Sequence, residues 1–274
     1  ASGEVDAFVV AASGEDLDDA KRALAAAVHA ETEGNAFFVG EVLRHLAESG
    51  AIVHRDGVWQ AAVDLEDMAI PEGVREVIGR RVSRLPDEVN DVLRWASVIG
   101  RDVDFAVLAD LVGTDEDEVL EALDVAIDAR LVEETGAGRY RFVHALVRST
   151  LLEEVRTTRR VRMHSKIGES IERRRPEDIT ALAHHFAEAA TAGGLDKALE
   201  YNGRAGAQAL DRAAFDEAAG YYRRALDLLE DTETEDPVLR IDLLIGLGTA
   251  QRAAGGGGHD ETLLDAADRA HGLG

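Results

Sequence analysis

The spacing of apolar residues predicts helix along most of the chain. Val5, Phe8, Val9 and Ala12 fall on one helical face, and Gly14 ends that run. Residues 17–33 read as a second helix, stopped by Gly34. Asn35 is placed to cap a third, in which Phe37, Phe38, Val42, Leu43 and Leu46 are apolar and Gly50 is the stop. The period then shortens. Ile52-Val53-His54-Arg55-Asp56-Gly57-Val58-Trp59 predicts a small β-hairpin, because Asp-Gly suits a tight primed turn.

After a polar link at 64–72, helical spacing returns at Val74, Val77, Ile78 and Val82. Pro86 and Asp87 open a helix carrying Val89, Leu93, Ala96 and Val98. Short helices are predicted at 105–111 and 115–129. Extended runs follow at 131–134 and 139–143, with Gly136 and Gly138 in the turn between them. Three helices followed by a hairpin is the order of a winged-helix domain. Such a hairpin is not stable alone in water and must pack on those helices.

Residues 146–175 read as helical and basic, with Arg156, Arg159, Arg160, Arg162, Lys166, Arg173, Arg174 and Arg175 opposed by Glu169 and Glu172. Beyond Pro176 the pattern is a series of antiparallel helices. Gly206, Ala218, Tyr222 and Ala225 keep the tetratricopeptide spacing G-x11-A-x3-Y-x2-A. Small residues belong where two helices approach most closely, and Tyr222 fills the space beside them. Leu247-Gly248 starts a second unit, delayed by the polar insertion 231–236, and 255–258 is a glycine loop before helix returns at 263–270. The stretch 197–205 echoes the second helix of a preceding unit. The expected fold is therefore mostly α. A helical lid with a β-hairpin spans residues 1–68, a winged helix 69–155, and a helical linker with tetratricopeptide-like repeats 156–274. An array this short is expected to dock on the winged helix or to continue beyond residue 274.

Composition narrows the function classes. The 274 residues carry a formal net charge of -24, which repels nucleic acid and anionic membrane. Cysteine is absent, which removes disulfides and thiolate chemistry. No apolar run is long enough to cross a bilayer and no secretory leader is seen, so the expected location is cytoplasmic, without membrane partners. The start Ala1-Ser2-Gly3 suggests a fragment of a longer protein.

The phosphate-cradling pattern G-x4-G-K-[ST] does not occur. The lysines are Lys21, Lys166 and Lys197, and none follows a glycine. The chain is thus expected not to hydrolyse ATP unaided and to hold no cofactor of its own. His184, His185 and Glu188 lie within one helical turn, but match neither HExxH nor HxxEH. Adjacent histidines point to different faces, so a structural role is read and no metal ligand is assigned. The recognition helix of the winged helix would span 115–130, where Asp115, Glu116, Asp117, Glu118, Glu121, Asp124 and Asp128 face Arg130 alone. That charge argues against nucleic acid and for a protein-contacting spacer. The basic segment 156–175 reads as a solvated or salt-bridged helix.

Three stretches together resemble the signal-transduction ATPases with numerous domains, the STAND class. The likeness is to large LuxR-type regulators and cyclase-associated ATPase modules. Residues 31–43, Glu-Thr-Glu-Gly-Asn-Ala-Phe-Phe-Val-Gly-Glu-Val-Leu, are similar to the family's "EGNPFFVEEVL" in the lid. Residues 70–78, Ile-Pro-Glu-Gly-Val-Arg-Glu-Val-Ile, with 89–100 resemble the start of its winged helix. Arg141-Phe142-Val143-His144-Ala145-Leu146-Val147-Arg148 resembles its "RFxHxLVR".

The resemblance implies a P-loop core upstream that binds ATP or ADP in the parent protein. It also implies a lid and winged helix that close over the nucleotide, and repeats that sense a protein or small-molecule inducer. It implies nucleotide contacts at Gly34, Asn35, Ala36 and Phe37 of the lid and at His144, whose imidazole N–H donates to a phosphate oxygen. Ala36 stands where the family has proline, which leaves the lid turn freer. For His144 a packing role beside a helix start stays open. The implied job is a regulatory and sensor fragment that gates activation and controls transcription or another output. The alternatives are a DNA-binding winged-helix regulator and a nucleotide-independent tetratricopeptide scaffold.

Overall fold

The computed structural model describes residues 52–55, 58–61, 79, 82–231 and 236–273. The expected lid helices, Gly34, Asn35, Ala36 and Phe37, and the stripe Val74 to Ile78 lie outside the described residues. The chain divides into two compact units, Ala1–Val155 and Arg156–Gly274. Both are mostly helical where described.

In the first unit, strands β1 (Ile52–Arg55) and β2 (Val58–Ala61) pair antiparallel with Arg55 opposite Val58, the hairpin expected from the Asp-Gly signal. Farther along come α1 (Asp87–Ile99), β3 (Asp102–Asp104), α2 (Phe105–Val112), α3 (Glu116–Asp128), β4 (Val132–Gly136), β5 (Arg139–Phe142) and α4 (Ala145–Glu153). Asp104 caps α2, its carboxylate accepting from the backbone N–H groups of Ala106 and Val107. Asp115 caps α3 by accepting from the N–H of Asp117.

Strand β3 is a correction to the sequence reading, which gave no strand between the first two helices. The sheet order is β3-β5-β4, all antiparallel. Asp102 sits opposite Arg141 and Asp104 opposite Arg139. Arg141 Nε donates to Asp102 Oδ1 at 2.6 Å, and Arg139 lies 2.9 Å from Asp104 Oδ2. A three-residue strand with one buried side chain, Val103, carries too little hydrophobic signal to see in sequence. The charge alternation Asp-x-Asp against Arg-x-Arg was the available clue. In β5 the pleat places Tyr140 and Phe142 inside and Arg139 outside. They join Val89, Val92, Leu93 and Ala96 of α1, Val119, Leu123 and Ala126 of α3, and Leu146, Val147 and Leu151 of α4 in one core. Burying each of the larger side chains contributes about 2 kcal/mol.

The second unit runs α5 (Thr157–Arg174), α6 (Ile179–Glu188), a 3-10 turn (Ala190–Ala192), α7 (Leu195–Asp211), α8 (Phe215–Asp231), α9 (Pro237–Ala253) and α10 (His259–Gly272). The expected helical stretch 146–175 is interrupted: α4 ends at Glu153 and α5 starts at Thr157. Each helix packs on the next. Short connections of this kind fold neighbouring helices back on each other. The stretch 197–205 is not the second helix of an earlier unit. It lies in α7, the same helix as Gly206. Pro237 stands at the start of α9, where its missing N–H costs nothing, and Asp236 accepts from the N–H of Leu239.

Close approach is the organising feature of this unit. A methyl at Gly206 of α7 would lie 2.8 Å from the Tyr222 ring on α8, and one at Gly246 of α9 would lie 2.5 Å from it. On α5, a methyl at Gly168 would meet Phe186 of α6 at 2.9 Å. Buried Asn202 ties α7 to α6 by donating to the Ala183 carbonyl at 3.2 Å. Phe186 stacks on Tyr201 with centroids 5.5 Å apart, and Lys197 Nζ sits 5.0 Å over the Phe186 ring.

Candidate functional site

The strand-to-helix junction of the first unit holds the described residue of the sequence-expected nucleotide site. Phe142 ends β5, its N–H bonded to the Arg101 carbonyl at 3.1 Å, and Val143 donates to the Leu131 carbonyl at 3.0 Å. These bonds fix the chain up to His144, which has extended backbone (φ -136, ψ 139) and stands immediately before α4. Its carbonyl accepts from the Val147 N–H at 3.0 Å, while its side chain makes no capping bond to the helix. The ring is half-buried, with Nδ1 shielded from solvent. Gly34, Asn35, Ala36 and Phe37, the other expected contacts, lie outside the described residues. Arg148, also of the RFVHALVR stretch, turns inward: its Nε donates to the Ser97 carbonyl of α1 at 2.9 Å, and burial pulls its pKa down. That arginine anchors α4 to α1.

Helix α3 presents one sign of charge. Asp115, Glu116, Asp117, Glu118, Glu121, Asp124 and Asp128 are all exposed, while Val119, Ala122, Leu123 and Ala126 face the core. Seven carboxylates on a solvent face set a field that disfavours a phosphate backbone. In the second unit Arg156, Arg159, Arg162, Lys166, Arg173 and Arg174 of the basic segment are exposed. Two residues of the segment, Glu172 and Arg175, are ion-paired. Lys197 bonds Glu172, and Arg175 lies 3.2 Å from Asp178. The Lys197 hydrogen bond, helped by Tyr201 and opposed by partial burial, holds the Glu172 carboxyl below its ordinary range.

The pair His184–His185 has a partner that sequence spacing missed. His164 of α5 and His185 of α6 are buried, and their Nδ1 atoms are 2.9 Å apart. His184 is exposed, yet its ring lies 5.6 Å from that of His164 and 5.0 Å from that of His185. The two adjacent histidines thus differ in burial, as expected of neighbours on a helix, but both reach the same residue on α5. The signal was present in the connection 175–178. A helical hairpin brings together positions that are equidistant from its turn to within about one helical turn. Glu188, named with the pair from sequence, is exposed and outside this cluster.

No family model matches the chain, and no curated protein matches it. Among solved structures, a signal transduction ATPase with numerous domains (STAND) protein with a tetratricopeptide repeat sensor, from Pyrococcus horikoshii, aligns with a TM-score of 0.28 and 11% identity. The alignment covers 100% of this chain and 48% of that one, so the chain spans about half the length of that protein. A TM-score of 0.28 does not establish a shared fold.

Proposed function

We propose that this chain is the regulatory section of a STAND-type signalling ATPase. The segment read as a winged helix, 69–155, acts against a nucleotide-bearing core, and 156–274 acts as a helical linker with a tetratricopeptide-like sensor. The single observation that carries this reading is the junction of β5 and α4. There the motif Arg141-Phe142-Val143-His144-Ala145-Leu146-Val147-Arg148 becomes a strand, a fixed turn and a helix start. An imidazole held beside the N-terminus of a nine-residue helix is well placed to donate to an anion, because the first-turn N–H groups add partial positive charge. A phosphate oxygen is the anion this reading assigns, supplied by ADP in the parent protein.

The exposed carboxylates of α3 favour a protein-contacting winged helix over a DNA-reading one. The repeats would bind a protein or small-molecule inducer, and the chain would be a binding module rather than a catalyst. Its place of work would be the cytoplasm, and its output transcription or another effector domain. Among the described residues no helix is long and apolar enough to cross a membrane.

The test uses the parent protein with its ATPase core. Fluorescent ADP should leave the His144→Ala variant several-fold faster than wild type, with raised basal activation. An unchanged release rate would sink the sensor role of His144. The chain alone, given ATP and magnesium, should release no phosphate above blank, and steady turnover would remove the binding-module reading.

A further inference from the structure

We propose that His164, His184 and His185 form a binding site for a divalent transition metal, with Zn²⁺ as the chemically fitting ion. Three imidazoles from two helices converge, and their candidate ligand nitrogens all lie within 4.8 Å of one another. Neutral imidazole suits Zn²⁺, Ni²⁺ and Cu²⁺, and it is a poor ligand for Mg²⁺ or Ca²⁺. Zn–N bonds of about 2.0–2.1 Å in a tetrahedron put ligand nitrogens about 3.3 Å apart. The His164–His185 separation of 2.9 Å therefore opens by a few tenths of an ångström on binding, and His184 moves inward. An exposed side chain does that by rotamer change, without disturbing the core.

The convergence is built into the packing. Gly168 lies one turn after His164, and its missing side chain lets α5 approach Phe186, the residue after His185. The two buried rings are thus held by the helix contact itself. Exposed His184 is the solvent side through which an ion enters and through which water fills the fourth position. Three protein ligands with one open position is the arrangement in which a metal accepts an exogenous ligand. In the ion-free state the Nδ1 atoms of His164 and His185 share one proton, donated by whichever ring carries it. The metal replaces that proton as the bridge between α5 and α6.

The experiment uses the untagged full chain after chelator treatment. Titration with Zn²⁺ against a colorimetric chelator should show one ion per chain. Co²⁺ should give the intense visible absorption of a tetrahedral site. His184→Ala, at an exposed position, should weaken Zn²⁺ at least tenfold and abolish the Co²⁺ band while leaving the helical circular dichroism unchanged. The double variant His259→Ala/His271→Ala should keep wild-type binding. Absence of Zn²⁺ uptake at low micromolar protein would overturn the site, as would wild-type affinity in His184→Ala or loss of binding in the His259/His271 variant. His164→Gln should lose binding too; if it fails to fold, His184→Ala decides alone.

Discussion

The Tyr222 ring on α8 lies directly against the backbone of Gly246 on α9, so closely that a methyl there would stand 2.5 Å from the ring. Gly206 of α7 meets the same ring from another helix, at 2.8 Å. One aromatic side chain, 7% exposed, therefore sets the spacing of three helices. Gly246→Ala should destabilise the second unit by about 1–3 kcal/mol through overpacking. Gly220 on α8 supplies the control, since a methyl there meets nothing within 4 Å. Gly220→Ala should stabilise by roughly 0.5–1 kcal/mol through helix propensity alone. Urea denaturation of both variants checks the pair. Opposite signs confirm the crowding, and stabilisation by both would refute it.

Ala213 closes α7 in the left-handed region, with φ of 59°. The backbone bonds are those of a Schellman closure: Ala214 N–H to the Ala209 carbonyl at 2.9 Å and Ala213 N–H to the Leu210 carbonyl at 3.0 Å. That position favours glycine, because a Cβ there costs about 1 kcal/mol. Ala213→Gly is thus expected to raise stability by a few tenths to about 1 kcal/mol, the gain being reduced by the extra freedom of the unfolded chain. Thermal unfolding measures it, and a lowered midpoint would count against the strain. Arg130 ends α3 in the same way, with φ of 56° and Leu131 N–H bonded to the Ala126 carbonyl.

These positions show what the sequence made visible. Helices with a strong apolar face, such as α1 with Val89, Leu93 and Ala96, were readable because burial on one side writes a period into the chain. Hairpin β4–β5 was readable from its two extended runs and from Gly138 in the turn, although Gly136 ends β4, paired with Arg139, rather than lying in the turn. Strand β3 was not, because its identity rests on pairing with residues 35 to 39 positions away. Gly246 also escaped notice. Its role depends on a ring from another helix, and the motif spacing drew attention to Gly248 instead, which meets Leu263. The same holds for His164: nothing local to α5 marks it. Of the expected nucleotide contacts only His144 falls among the described residues, and its place before α4 followed from the motif and not from any periodicity.

Glu172 of α5 accepts from Tyr201 at 2.9 Å and bonds Lys197, joining α5 to α7. Its folded-state pKa is lowered, chiefly by the Lys197 hydrogen bond. A lowered carboxyl pKa contributes stability that is fully present above the ordinary value, about 4.3, and is lost as pH falls through the folded value. Glu172→Gln should therefore cost on the order of 1 kcal/mol at pH 7. The difference from wild type should shrink as pH drops below about 4. Denaturant midpoints of both proteins across that range test the sign. A gap that widens in acid would show that another group dominates.

The charge on α3 yields the last expectation. Sequence-specific readers dock a helix in the major groove and gain most of their affinity from phosphate contacts. Helix α3 offers exposed Glu116, Asp117, Glu118, Glu121, Asp124 and Asp128 instead. Duplex DNA should therefore not bind the first unit's α3 at low micromolar protein and physiological salt. If binding to the whole chain appears, it should come from the exposed cations of α5. The triple variant Arg159→Gln/Arg162→Gln/Lys166→Gln would then abolish it, while Glu118→Gln/Glu121→Gln would leave it unchanged or slightly stronger. Fluorescence anisotropy with random duplex at two salt concentrations makes the distinction. Binding that survives the α5 substitutions and weakens on changing α3 would restore a DNA-reading role to that helix.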